Sequence, residues 1–177
     1  PSAQDKVWLK IWSLWQWRIE EATKSEDRSS YVKEITNFCR LLKNTPLELP
    51  ELYSMLQQTL EFKAEGYEVQ LIIEYLGENC EKHPGLAVSM LHEIVLSGQS
   101  FYIITDTESN IEKIFTSTIK ADRDAKAKAV EIINIFGERG DYKWRSLLDR
   151  LTLVSAKPDW RIACRGVMCH SSQATFG

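Results

Sequence analysis

Residues 72–78 read IIEYLGE, and 60 positions further on residues 132–138 read IINIFGE. Each stretch closes an apolar segment with helical periodicity, and each is followed by a polar turn and a second apolar segment. The shared glycine, Gly77 or Gly137, is the most specific part of the match. Glycine inside a helix costs about 1 kcal/mol relative to alanine and is usually retained for close packing. We therefore expect the two glycines at matching places near the ends of matching helices.

The match predicts two equivalent helical hairpins, over residues 68–98 and 128–151. A fainter copy begins with EITNFCRLLKNTP at residues 34–46 and puts Pro46 in the place that Pro84 takes in the first hairpin. Paired antiparallel helices that recur along a chain are typical of an α-solenoid, in which each hairpin buries its apolar faces by stacking on its neighbours. The sequence thus predicts an all-α fold, an α–α superhelix.

The rest of the chain divides into helices in the same way, with prolines and glycines near their ends. We predict seven or eight helices within a repeat domain spanning residues 1–150. After the first helix, the others are expected at 31–44, 48–66, 67–83, 86–98, 109–120, 122–140 and 141–151. The apolar run within 99–110 fits either a strand or a turn of helix. Residues 151–177 lack helical periodicity, and we interpret them as an irregular tail, either disordered or foreign to the natural protein.

Composition indicates a soluble globular domain. The chain has 177 residues and a net charge of -3, which gives no general attraction to nucleic acid or to anionic lipid. No apolar run approaches the roughly 18 residues of a membrane span. Scattered cysteines and the absence of an Asn-x-Ser/Thr site favour a cytoplasmic location. The chain begins at Pro1 without a leader and is expected to be a processed chain or a fragment of a longer one.

The first helix is expected to be apolar on two sides. Trp8, Trp12 and Trp15 fall on one stripe and should face the core, whereas Trp17 points to the opposite side and Leu9 also lies off the stripe. The terminal repeat of a solenoid normally has a polar outer cap. We therefore predict that Trp17 and Leu9 contact a protein partner, either an upstream helix or a second copy of the chain.

These patterns resemble the HEAT-like and armadillo-like helical repeats over roughly residues 5–150. The phrases LWQWRIEE (14–21) and FGERGDYKWRSLLD (136–149) are also similar to helical-repeat regions that follow an NTPase or sirtuin-like effector domain in large bacterial defence proteins. The chain departs from an even repeat length at residues 99–120. The resemblance implies a cytoplasmic module that recognises partners or holds an assembly together. It carries over no catalytic residue.

The sequence contains no motif that predicts catalysis or a cofactor, and we expect neither. No glycine-rich phosphate loop is present, and His92-Glu93 lacks the second histidine of a zinc-protease helix. Cys164, Cys169 and His170 come nearest to a metal cluster, but paired Cys-x-x-Cys motifs are absent. We interpret the two cysteines as free thiols and expect no metal.

The alternative function is a nucleic-acid-binding repeat, including a helical-repeat DNA glycosylase. Asp141, Trp144 and Arg145 resemble one corner of such a site, and residues 120–150 are slightly basic. The net charge and the acidic run at 61–81 favour a protein partner instead. We therefore predict a non-enzymatic interaction or assembly module, with no membrane contact, that can form a homo-oligomer. The predicted contact residues are Trp17, Leu9, Trp144 and Arg145.

Overall fold

The computed structural model describes residues 3–62, 67–98 and 107–152, and within these ranges all regular structure is helical. The eight α-helices are α1 Ala3–Lys24, α2 Ser29–Asn37, α3 Leu49–Glu61, α4 Tyr67–Asn79, α5 Pro84–Leu96, α6 Glu108–Thr118, α7 Arg123–Glu138 and α8 Leu148–Thr152. A 3-10 segment, Phe38–Asn44, extends α2, and another, Arg145–Leu147, leads into α8. The predicted all-α class and number of helices are confirmed. The undecided residues 99–106 and the tail from 153 onward lie outside the described residues.

Local chemistry explains where several helices begin and end. Pro50 occupies the first turn of α3 and Pro84 begins α5, at positions where the missing N–H costs nothing. The Asp122 carboxylate accepts a hydrogen bond of 2.8 Å from the Ala125 N–H and so caps α7. The extension of α2 ends at Asn44, before Pro46, because the residue preceding proline is pushed out of the helical region.

The helices pack in two rows. One row contains α1, α3, α5 and α7, and the other contains α2 with its 3-10 extension, α4 and α6. Helices two places apart in the chain are therefore neighbours within a row, and consecutive helices such as α4 and α5 join the rows. The core lies between the rows and is filled mainly by leucine, isoleucine and valine.

Buried positions recur every 38 residues along α3, α5 and α7 of the first row. Two such sets, none of whose members is more than 2% exposed, are Leu49, Ala87, Ala125 and Leu56, Ile94, Ile132. This spacing equals the distance in sequence between Pro46 and Pro84. The fainter sequence similarity, which begins at residues 34–46, therefore agrees with the packing. The similarity between residues 72–78 and 132–138 does not agree with the packing, because it matches α4 in one row with α7 in the other row. The predicted equivalence of residues 68–98 with 128–151 is therefore wrong.

Gly77 and Gly137, the two glycines of this similarity, lie at the same place in their helices but have different surroundings. Gly77 lies near the end of α4 and Gly137 near the end of α7. A Cβ built on Gly77 would lie 2.7 Å from the Cβ of Asn110, on α6, whereas one on Gly137 would meet only the Tyr142 ring, at 3.6 Å. Only Gly77 is required for a close helix approach.

The tryptophans of α1 that were predicted to face the core differ in how deeply they are buried. Trp15 is buried and stacks on Phe38 with a centroid distance of 5.4 Å, as its inward prediction requires. Trp8 and Trp12 are partly buried and line a small apolar space between α1 and the extension of α2. That space has a volume of about 10 Å³, which is enough for one water molecule at most. It is a packing defect rather than a ligand pocket.

Candidate interaction surface

Exposed apolar side chains concentrate on α1. Across the described parts of the chain, the large apolar side chains that are about half exposed or more are Val7, Leu9, Leu14, Trp17, Tyr67, Leu96 and Tyr142. Four of these seven belong to the first helix, where they are between 48% and 58% exposed. Trp17 and Leu9 are thus exposed, as the sequence indicated. Leu14 and Val7 are further members that sequence reasoning did not identify.

The four side chains do not form one stripe. At 100° per residue, Val7, Leu14 and Trp17 fall within an arc of about 80°. Leu9 lies about 80° from Trp17 in the direction away from Val7 and Leu14, so it falls outside this arc. We define the α1 outer face as Val7, Leu14 and Trp17, and Leu9 lies at its margin. The seven-residue step from Val7 to Leu14 was the signal in the sequence that could have located this face.

Trp17 is held in position by its neighbour. The Arg18 guanidinium lies 5.1 Å from the centre of the Trp17 ring and 5.0 Å from that of Tyr31, on α2. Arg18 also forms an ion pair with Glu34, and this hydrogen bond raises the pKa of the guanidinium above its ordinary value. Cation–π contacts of this kind contribute about 0.5–1 kcal/mol at exposed sites. The exposed indole is therefore anchored to a fixed charge between α1 and α2.

Charges are distributed unevenly along the exposed side of α1. Lys6 and Lys10 are exposed in the first half of the helix, and Glu20 and Glu21 lie in the second half. Lys24 forms an exposed ion pair of 3.2 Å with Glu21. The exposed side of α1 thus combines an apolar centre with a basic and a mainly acidic end.

Trp144 does not lie on a contact surface. It is only 6% exposed and packs on Phe136 and Phe115, with ring centroids 4.9 and 5.7 Å away. The prediction that Trp144 contacts a partner is corrected: the ring is part of the core, where three aromatic side chains from α6, α7 and the following turn meet. Arg145 is exposed, and its guanidinium lies 5.8 Å from the Tyr142 ring centre.

The corner that resembled a glycosylase site is not assembled. Trp144 is buried and cannot stack on a base, and the Asp141 carboxylate accepts a 3.2 Å hydrogen bond from the Lys143 N–H within a turn. Some of the basic residues of this stretch are also engaged. Lys126 is buried, and Lys128 forms an ion pair of 2.8 Å with Asp124. Arg123, Arg139 and Arg145 are exposed, so only part of the basic stretch is engaged in the fold.

A series of polar contacts crosses the outer side of α3, α5 and α7. The Glu93 carboxylate accepts hydrogen bonds from the Tyr53 hydroxyl at 3.2 Å and the Gln57 amide at 2.8 Å. Lys128 donates to the Ser89 hydroxyl at 3.0 Å, which joins α7 to α5. Burial and the nearby Glu93 charge raise the pKa of Tyr53 to about 12. These contacts connect neighbouring helices, and the groups satisfy one another.

The described residues contain no group of three or more His, Cys, Asp or Glu side chains arranged to hold a metal ion. Cys164, Cys169 and His170 lie outside the described residues. Cys39 and Cys80 are buried free thiols, and burial raises the pKa of Cys39 to about 12, which disfavours the reactive thiolate. Over the same ranges, none of the helices has the length and apolar character needed to cross a membrane.

Comparison of the chain with protein-family models, with curated proteins and with solved structures finds no match.

Proposed function

We propose that this chain is a non-enzymatic helical-repeat module of the HEAT-like, α–α superhelical kind, which serves protein–protein interaction or assembly through the α1 outer face. The two rows of helices and the 38-residue recurrence of buried positions support the repeat assignment. The occupant of the α1 outer face is a helix with exposed apolar side chains, contributed by a protein partner, by a second copy of the chain or by an upstream domain of the same chain.

The observation that carries the proposal is the exposure of three large apolar side chains on the side of α1 that no other described helix covers. α5 packs against the two helices before it and the two after it, namely α3, α4, α6 and α7. α1 packs mainly against the two that follow, α2 and α3. A helix that continued the rows in front of α1 would cover apolar side chains there, and Val7, Leu14 and Trp17 are exposed. Their exposure is thus what a solenoid with a further helix to bind requires.

Cross-linking in living cells tests this proposal. A photoreactive phenylalanine analogue replaces Leu14 in the protein in its natural host, and irradiation is expected to give a protein adduct. The same analogue at Leu96, an equally exposed apolar position on α5, is the matched control and should give little adduct. Equal yields at the two positions, or none at Leu14, would contradict a binding role for α1.

Trp17→Lys is expected to reduce the Leu14 adduct at least tenfold while leaving the fold intact. A charged side chain at Trp17 would be buried by the partner, which is costly, but in the free protein it is surrounded by water. Loss of the contact between Trp17 and Arg18 is expected to lower the free energy of unfolding by about 0.5–1 kcal/mol, and exposed substitutions otherwise change it by about 0.5 kcal/mol or less. Circular dichroism and thermal unfolding provide the check. A variant that unfolds would show that Trp17 belongs to the core.

The alternative, nucleic-acid binding, predicts a different response to salt. A protein that contacts six to ten phosphates loses about 10³–10⁵ in affinity between 50 and 200 mM salt. We expect binding to duplex DNA to be weak and to change by less than about tenfold over that range, because cations such as Lys128 and Lys143 are already paired with carboxylates. Fluorescence anisotropy measures this. A steep dependence would favour nucleic-acid binding over the protein partner.

A further inference from the structure

We infer that the helix which covers the α1 outer face is α1 of a second copy of this chain, packed antiparallel across a twofold axis near Ser13 and Leu14. The inference rests on the proposed function, since it names the occupant of the same surface. A twofold interface is self-complementary, so one surface must supply both halves of every contact. The charges of α1, together with Leu14 and Trp17, meet this condition in one orientation.

Charge selects the antiparallel orientation. The basic end of α1 carries Lys6 and Lys10, and the acidic end carries Glu20 and Glu21. A parallel pair of helices would set lysine beside lysine and glutamate beside glutamate, and like charges held close together are destabilising. The antiparallel pair sets each basic end against the acidic end of the other copy. Lys24 pairs with Glu21 within its own helix, so the acidic end keeps one net negative charge and Lys6 of the other copy would share Glu21 with Lys24.

The helical repeat gives the pairing residue by residue. With the axis between residues 13 and 14, Lys6 of one copy lies opposite Glu21 of the other, and Lys10 lies opposite Trp17. The two Leu14 side chains meet near the axis. Residues 6, 10, 14, 17 and 21 follow steps of three or four, so they stay on one side of a helix. Each Lys10 ammonium then faces the exposed Trp17 ring in a cation–π contact.

The size of the surface limits the strength of this dimer. A helix of 22 residues is about 33 Å long and 10 Å wide, so the pair buries roughly 700 Å² in total, below the 1,200–2,000 Å² of stable interfaces. The dimer is therefore expected to be weaker than complexes with interfaces of standard size. Such an interface associates where copies are concentrated and separates on dilution.

Charge reversal in complementary pairs tests the pairing by sedimentation equilibrium of the full chain. Lys6→Glu alone sets two carboxylates against each other, and Glu21→Lys alone places two lysines together, so each variant is expected to self-associate at least tenfold more weakly than the natural protein. An equimolar mixture of the two variants should recover the natural affinity, because each copy now complements the other. Lys33→Glu, a reversal at an exposed position on α2, is the control and should leave association unchanged.

The Leu14 cross-link separates this inference from the function on which it rests. An adduct of twice the chain mass, whose linked peptides join residue 14 to the region of residues 13–14 in another copy, supports the dimer. An adduct of any other mass overturns the second copy as occupant but leaves the binding role of α1 in place. A natural protein that stays monomeric up to 1 mM, or a variant mixture that is no stronger than its components, would also overturn the dimer.

Discussion

Replacing Trp144 by alanine is expected to destabilise the protein by about 3–5 kcal/mol, the cost of emptying a large aromatic site in a core. The indole packs on Phe136 and Phe115 and closes the end of the core where the turn after α7 leads into α8. The free energy of unfolding of a domain this size is about 5–15 kcal/mol, so the loss is a large part of the total. Urea unfolding followed by circular dichroism measures it.

Tyr142→Ala is the matched control for Trp144→Ala. Tyr142 belongs to the same turn but is 60% exposed, so its removal should cost less than about 1 kcal/mol. The pair of variants decides between core and contact surface for the aromatic residues of this turn. If Trp144→Ala kept its stability and instead lost the Leu14 cross-link, the assignment of Trp144 to the core would be refuted.

Gly77→Ala and Gly137→Ala are expected to change stability in opposite directions. A methyl group at Gly77 meets the Asn110 side chain at distances under 3 Å, and overpacking costs about 1–3 kcal/mol, more than the roughly 1 kcal/mol that alanine gains in helix propensity. Gly137 has room, so alanine there should be neutral or stabilising by up to about 1 kcal/mol. Chemical unfolding of both variants provides the comparison.

The cause of the Gly77 effect can be isolated with a second substitution. Asn110→Gly removes the Cβ and the amide that a methyl group at position 77 would strike. In that background Gly77→Ala should cost less than in the natural protein, by about 1 kcal/mol or more, as expected for residues in contact. Additive effects of the two substitutions would show that the close approach of α4 and α6 does not explain the glycine.

Local sequence patterns predicted the helices well because prolines mark several helix boundaries. Pro46, Pro50 and Pro84 mark boundaries that the structure keeps, and the apolar period identifies the buried side of each helix. The second predicted helix, 31–44, is continuous in position but passes from α-helix to 3-10 helix after Asn37. Periodicity does not distinguish these two forms over so short a segment.

The repeat length was predicted less well because residue identity and packing position are different signals. Gly77 and Gly137 match in sequence, yet one is fixed by a crossing helix and the other lies against an exposed ring. Leu49 shares a packing position with Ala87 and Ala125 although it differs from them in type. A core tolerates such exchanges when the neighbouring helix adjusts its packing. The repeat length is therefore visible in which positions are buried and not in residue identity.

The sequence predicted only part of the candidate surface, because packing between distant residues cannot be derived from local spacing. A helical projection shows which residues leave the main apolar stripe, and on α1 it found Trp17 and Leu9. On the short turn after α7 there is no regular period, so the direction of Trp144 could not be derived from spacing. Its burial depends on Phe115, almost 30 residues earlier in the chain, and only the three-dimensional packing brings the two rings together.

The two-row packing has a consequence for how the chain is made. Each helix from α3 onward packs against at least one of the two helices synthesised just before it, and the first and last described helices do not pack together. The loop that must be ordered at each step is short, so its entropy cost is small. A nascent chain leaving the ribosome can therefore bury its apolar faces stepwise, helix by helix, without waiting for its C-terminus.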